Sequence, residues 1–313
     1  MAKIVITEAI HPIGAQLLRE AGHQVVEGWQ LPREEMLAQL SDAEGALVRI
    51  LPITEEMTER FPKLRIISKH GVGIDNFDLE DAARKHITIT TTPGAKTQSV
   101  AEHALALMMT LAKHIIPISQ GYREKGFSVK TSMEGTELFG KTLGLIGCGA
   151  IGRRVAHMAA QGLDMRVLVY DPYIDTLPEG CERSDSLEQL LEEADFISLH
   201  CYLSDETRHM IDAAAFDRMK PGAVLINCAR GPVVKEEAMI QALESGRLAG
   251  AGLDVTEEEP LPADHILFKL PGVIVTPHYA PTTRDAAQAV ARMAAENLIR
   301  FFRGEAVQGQ VTP

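Results

Sequence analysis

No apolar run in the 313 residues approaches membrane-spanning length, and the opening MAKIVIT passes straight into a strand pattern without the organisation of a signal peptide. A cytoplasmic location is expected. Basic charge is scarce too. The 31 Lys and Arg against 43 Asp and Glu leave a net charge of −12, which argues against nucleic acid or an anionic membrane as partner. The four cysteines, at 148, 181, 201 and 228, follow no CxxC spacing. Neither a metal site nor a disulfide framework is indicated, and three of the four lie in or beside apolar strand patterns, as thiols of a reducing compartment do. Repeats and low-complexity segments are missing as well. What remains is a chain with 45% hydrophobic residues, long enough to build two domains.

The most organised stretch is Thr142 to Gly152, TLGLIGCGAIG. Leu143 to Ile146 reads as a buried strand, and a helical pattern closing near Gly162 follows the glycines. Gly147 permits the tight turn, Gly149 lets the backbone approach a pyrophosphate, and Gly152 lets the helix pack on the strand, so Ala150 and Ile151 open the helix at the phosphates. A second strand, MRVLVY, ends in Asp171. A carboxylate there accepts both ribose hydroxyls and repels a 2′-phosphate, so the expected cofactor is NAD and not NADP.

Before this turn, strands at Ile4 to Thr7, Gln24 to Val26, Ala46 to Ile50, Arg65 to Ser68 and Ile87 to Thr91 alternate with helical patterns, which predicts a parallel sheet. Thr97 to Gly121 reads as one long amphipathic helix with a capping box at Ser99 and Glu102, long enough to bridge two domains. Strands then recur near 142, 166, 196, 224, 250 and 274, and Thr282, Thr283 and Asp285 open a final helix that ends before Gly304. The expected fold is α/β. A Rossmann-type doubly wound parallel sheet spans 98–283, and a second, discontinuous flavodoxin-like α/β domain, the substrate domain, is made of 1–97 and 284–313, with the active cleft between them.

Open parallel sheets bind ligands beyond their carboxyl edges. In the second half, three strands deliver Arg230, Glu259 and His278 to that edge. Each alone is explained as a turn, surface or structural residue; together they suit reduction of a 2-keto acid. Arg230 grips the carboxylate and polarises the carbonyl through a planar fork of donors, and His278 protonates the growing alkoxide. Glu259 holds the ring, since a neighbouring carboxylate favours the imidazolium.

On these residues the chain resembles the D-isomer-specific 2-hydroxyacid dehydrogenases over nearly its whole length, most closely their phosphoglycerate dehydrogenase and hydroxypyruvate reductase branch. The matching segments are GLIGCGAIG at 144–152, YDP at 170–172, DFISLHCYLSDET at 195–207, MKPGAVLINCARG at 219–231, AGLDVTEEEP at 251–260 and VTPH at 275–278, with GVGIDNFD at 71–78 and PGAKTQSVAEHAL at 93–105. The resemblance implies the catalytic trio Arg230, Glu259 and His278. It also implies cofactor contacts from Cys201, Thr207, Cys228, Ala229 and His278, an Asp254 that faces the nicotinamide carboxamide, and amides of Gly71, Val72 and Gly73 turned to the substrate carboxylate. It implies a homodimer formed through the NAD-binding domains. Tyr202 replaces the family's usual proline, and Tyr279 and Pro281 replace small residues, which alters the wall of the substrate pocket.

Arg49, Lys69 and His70 end two strands of the first half. In phosphoglycerate dehydrogenase-like members, basic residues at these places meet a second anion of the substrate. A three-carbon 2-hydroxy acid bearing a phosphate or sulfonate is therefore the leading expectation, with glycerate, glyoxylate or lactate next. The chain ends soon after its last helix, so a C-terminal regulatory domain is not expected. Two alternatives are carried: an NAD-sensing co-repressor that binds protein partners, against which the intact trio argues, and formate dehydrogenase, which pairs the histidine with glutamine where this chain has Glu259.

Overall fold

The computed structural model describes residues 1–74 and 76–312. Asp75 of the 71–78 segment and Pro313 lie outside the described residues. The chain divides into two compact units, one of Met1–Lys96 with Thr282–Pro313, the other of Thr97–Pro281.

The first unit holds the strands β1 (Lys3–Ile6), β2 (Gln24–Glu27), β3 (Gly45–Val48), β4 (Ile66–Lys69) and β5 (Thr88–Thr90). They pair in parallel in the order 2-1-3-4-5, the flavodoxin-like arrangement, and the short C-terminal strand Gln310–Val311 adds antiparallel to β5. Both faces are covered. Met36, Leu37 and Phe61 belong to the core on one side, and helix Arg284–Arg303 lays Ala294, Ala295 and Leu298 with Leu18 on the other. That closing helix begins where its sequence demands. Thr283 caps it by accepting the Ala286 amide at 3.1 Å, and Gly304 ends it at φ +73°.

The second unit holds β6 (Thr142–Ile146), β7 (Arg166–Tyr170), β8 (Cys181–Arg183), β9 (Phe196–Leu199), β10 (Ala223–Asn227), β11 (Leu248–Leu253) and β12 (Val273–Val275). All pair in parallel in the order 12-11-10-9-6-7-8. Apart from the extra edge strand β12, this is the 3-2-1-4-5-6 order of a dinucleotide fold, with its switch point between β6 and β9. β6, β9 and β10 are buried at every residue, so their unbroken apolar runs follow from helices on both faces.

Two local expectations are corrected. The run from Thr97 is not one helix. It breaks after Ala112 at His114, whose backbone is left-handed at φ +50°, and restarts as Ile115–Lys125. Ser99 and Glu102 are not a capping box, because the helix already starts at Thr97 and the Ser99 hydroxyl donates instead to the Ala280 carbonyl at 2.7 Å. The strand β8 was not expected at all: two of its three residues are exposed, so it lacks the apolar pattern of its neighbours.

Candidate active site

At the carboxyl edge of the second unit, the glycine turn behaves as its spacing requires. Gly147 sits at φ +87°, and a Cβ there would stand 2.5 Å from the Cys201 amide nitrogen. A Cβ on Gly152 would stand 2.2 Å from the Gly147 carbonyl oxygen, so only glycine lets the helix Ala150–Gly162 start against the strand end. At Gly149, by contrast, a Cβ would meet no protein atom within 4 Å. The one glycine that the protein itself does not crowd is the one that a pyrophosphate at the helix N-terminus would approach. Asp171 accepts the Cys148 amide at 2.7 Å on one carboxylate oxygen and the Tyr173 amide at 2.9 Å on the other. Each oxygen keeps lone-pair capacity for a ribose hydroxyl. The residues present thus fit a dinucleotide.

The other residues expected along the cofactor have the following surroundings. The Thr207 hydroxyl donates to the Tyr202 carbonyl at 2.6 Å and accepts the Ser204 amide at 2.8 Å, so it staples its own loop. Cys228 and Ala229 are buried, and Cys201 is partly buried. Burial pushes the thiols of Cys148 and Cys201 up to about 11, so they stay protonated and inert at neutral pH.

The trio sits on the three loops that follow β10, β11 and β12. The Glu259 carboxylate meets the Nδ1 of His278 at 3.0 Å, with both side chains about half exposed. This hydrogen bond leaves Nε2 as the outward proton carrier. Burial alone would raise the Glu259 carboxyl, but the bond and charge of His278, the Thr256 amide and the charge of Arg230 outweigh it and hold it below the ordinary carboxylate value. Arg230 reaches that field because Gly231 allows its backbone to touch the next loop: a Cβ on Gly231 would lie 1.8 Å from the Thr256 carbonyl oxygen. Asn227, fully buried, fixes the same turn by donating to the Arg230 carbonyl and accepting the Ala229 amide, both at 3.0 Å. The Arg230 Nη1 donates to the Ala229 carbonyl at 2.8 Å. Nothing in the order of residues marks Asn227 or Gly231 as placing Arg230; that emerges only from the packed loops.

Asp254, 2% exposed, is the hub behind His278. Its Oδ1 accepts the Thr276 hydroxyl at 2.6 Å and the Tyr279 amide at 2.7 Å, and its Oδ2 accepts the Ala280 amide at 2.9 Å.

The first unit gathers cations at the ends of β3 and β4. Arg49 is exposed, Lys96 is half-buried, and a Cβ on Gly71 would lie 3.4 Å from the Lys96 Nζ. His70 is buried, and neither ring nitrogen meets a partner among the described residues. Burial, then the charges of Lys96, Arg49 and Lys69, push it down to about 3, so the ring is neutral. Lys69 is corrected as an outward cation. It is buried, its ammonium donates to the Arg49 carbonyl at 2.6 Å and to the Asn76 side chain at 2.8 Å, and it lies 5.0 Å from the Phe77 ring centre. Gly71 likewise turns its amide onto the Lys69 carbonyl at 3.0 Å, and not outward; Val72 is exposed and Gly73 half-buried. In the first unit, two residues are not marked by the sequence. Lys96 lies within the matched segment 93–105, and Glu8 accepts the amides of Arg49, Ile50 and Leu51 at 2.7, 3.2 and 2.7 Å, holding the loop that carries Arg49.

With this geometry, similarity to known proteins becomes specific. The family model described as D-isomer specific 2-hydroxyacid dehydrogenase, NAD binding domain, matches residues 105–280. The chain belongs to the D-isomer-specific 2-hydroxyacid dehydrogenases. Its cofactor is NAD. Within the family it is 41% identical over 318 residues to the glyoxylate reductase of Pyrococcus furiosus, covering 97% of this chain and 93% of that one. It is 38% identical over 316 residues to the D-3-phosphoglycerate dehydrogenase of Methanocaldococcus jannaschii, but there 99% of this chain spans only 59% of the relative's length. Among solved structures, D-2-hydroxyisocaproate dehydrogenase superposes with a TM-score of 0.90 at 26% identity, covering all of both chains. Among the described residues of this dehydrogenase, no helix is long and apolar enough to cross a membrane, and no cluster of side chains suits a metal ion.

Proposed function

We propose that the chain reduces a small 2-keto acid to the D-2-hydroxy acid, and that the substrate carries a second anionic group such as a phosphate or sulfonate. The observation that carries the chemistry is the 3.0 Å contact of Glu259 with His278 Nδ1, which commits one ring nitrogen to the carboxylate and leaves the other available to a substrate oxygen. When bound, NADH supplies the hydride that adds to the carbonyl carbon. His278 releases its Nε2 proton to the oxygen as charge builds there, and Glu259 steadies the imidazolium before the transfer. Arg230 binds the substrate carboxylate through its guanidinium and draws electron density from the adjoining carbonyl. Gly147, Gly149, Ala150, Ile151 and Gly152 hold the pyrophosphate, and Asp171 takes the ribose hydroxyls.

The second anion is supported by the cations around His70: Arg49 and Lys96 supply charge, and the neutral imidazole offers one donor and one acceptor. A second reading, glyoxylate or hydroxypyruvate, is favoured by the near full-length match to a glyoxylate reductase. Homodimerisation through the NAD-binding unit is supported by helix Ile115–Lys125, which buries no residue and is followed by the exposed Phe127 and Phe139. Four unpaired thiols agree with a cytoplasmic setting. NADH oxidation should be followed with phosphohydroxypyruvate, sulfopyruvate, hydroxypyruvate, glyoxylate and pyruvate. The highest kcat/KM is expected for one of the first two; glyoxylate or hydroxypyruvate leading the series would install the second reading, and inert acids with intact NADH binding would favour a co-repressor.

A further inference from the structure

The segment that carries His278 has no secondary structure of its own, because β12 ends at Val275. His278 itself stands in the left-handed region at φ +52°, a conformation that a side-chain-bearing residue adopts only when its surroundings impose it. The imposition is visible. The His278 amide donates to the Asp254 carbonyl at 2.8 Å, and the next two amides, of Tyr279 and Ala280, donate to the Asp254 carboxylate. The preceding hydroxyl, of Thr276, also donates to that carboxylate, at 2.6 Å. Four donors from residues 276–280 therefore close on the single buried Asp254.

A second layer stands behind it. The Nε2 of His103, on helix Thr97–Ala112, is 3.0 Å from the Thr276 oxygen and 3.5 Å from Asp254 Oδ1. Since the Thr276 proton is given to Asp254, its oxygen can only accept from His103, so His103 carries its proton on Nε2. The His103 ring also meets Tyr279 edge-on, with centroids 6.3 Å apart. One relay thus runs from the helix through Thr276 to Asp254, and from Asp254 to both peptides after His278.

We propose that His103, Thr276 and Asp254 form one positioning unit that sets the His278 ring against Glu259 and the substrate oxygen. The hydroxyl of Thr276 is its critical link, because it alone is both donor to Asp254 and acceptor from His103. This rests on the reading of His278 as proton donor. Positioning is where small displacements are costly: an error of about 1 Å in a catalytic group lowers turnover by about 100-fold.

The test is a set of Thr276 variants with the best keto acid. Thr276→Val keeps the shape and removes the link; its kcat should fall about 10-fold while the KM for the keto acid and the Kd for NADH, titrated by fluorescence without substrate, move less than about 2-fold. Thr276→Ser, which keeps the hydroxyl, should restore most of kcat. In a His278→Ala background, Thr276→Val should cost nothing more, because the unit acts through the ring already removed. Normal kcat in Thr276→Val, or losses that multiply in the double variant, would overturn the positioning role while leaving His278 as donor. An unchanged kcat in His278→Ala alone would instead overturn the proton-donor reading, and the relay with it. Should Thr276→Val not fold, His103→Leu reads the same link and must give the same pattern of reduced kcat, steady Kd and no added cost in His278→Ala.

Discussion

The two units are the same kind of object, an open parallel sheet wrapped by helices, yet their first strands hand over to opposite electrostatics. After β6 the chain offers Gly147, Gly149 and a helix whose first amides meet no side-chain cap among the described residues, while the nearby Asp171 carboxylate is turned to the Cys148 and Tyr173 amides. After β1 it offers Glu8, whose carboxylate takes up the three amides of Arg49, Ile50 and Leu51. An anion would be welcome at the first turn and repelled at the second. The first unit instead collects its cations further along the edge, around His70. The topology sets where a ligand can bind, and a handful of residues at strand ends decide which ligand it is.

The strongest way to break this contrast is to give the second unit what the first one has. Gly149→Asp places a carboxylate before the helix at a position where a Cβ touches nothing, so the fold should survive while NADH affinity falls at least about 100-fold, as fluorescence titration and a thermal melt of the same sample can establish. Next in size is Asp171→Ala. Loss of the ribose acceptor should reduce the preference for NADH over NADPH by about 10-fold or more in kcat/KM, and an unaltered ratio would show that selectivity lies elsewhere. Smaller again is the contrast between two lysines of the first unit. Lys96→Met should raise the KM of a keto acid with a second anion about 5-fold and leave that of glyoxylate nearly unchanged, whereas Lys69→Met should chiefly lower the melting temperature, because it strips hydrogen bonds from the Arg49 carbonyl and Asn76.

The mildest effect near neutrality is shared by both units. Burial, with the charges of Lys96, Arg49 and Lys69, pushes His70 down to about 3, and burial pushes His200 in the second unit, whose Nδ1 is shielded from solvent without a partner among the described residues, to about 4. Both rings are neutral in the folded protein and protonate near 6.5 once unfolded, so their contribution is full above pH 6.5 and is lost as pH falls below it towards 4 and 3. Each histidine should steepen the loss by about 1.4 kcal/mol per pH unit across that window. Denaturant midpoints measured from pH 7 to 5 should therefore flatten in His70→Leu and in His200→Leu, and parallel curves would contradict the assignment.

The turn and Asp171 were legible in order because their chemistry is local: spacing alone dictates which glycine bends, which packs and which stays open. The pairing of Glu259 with His278, 19 residues apart, was reached through chemistry and the rule that strand ends share an edge. Side-chain direction was not legible. Lys69 and His70 end the same strand, yet the lysine folds back onto the Arg49 carbonyl and the histidine is buried, while Arg49 is exposed. The spacing Ser99 to Glu102 mimics a helix start because the same spacing recurs inside helices, and the kink at His114 depends on a left-handed residue that is not glycine. Glu8, Asn227 and Thr276 were missed since each acts through backbone groups that only the folded loops bring near.

The chemistry assigned to the second unit is tested most directly by kcat for His278→Ala at saturating NADH and keto acid, with the NADH Kd taken on the same preparation. A fall of about 1,000-fold in kcat with Kd within about 3-fold of the parent is expected, the mark of a lost proton donor beside an intact cofactor site. A kcat within 2-fold of the parent, with chemistry rate-limiting, would contradict it.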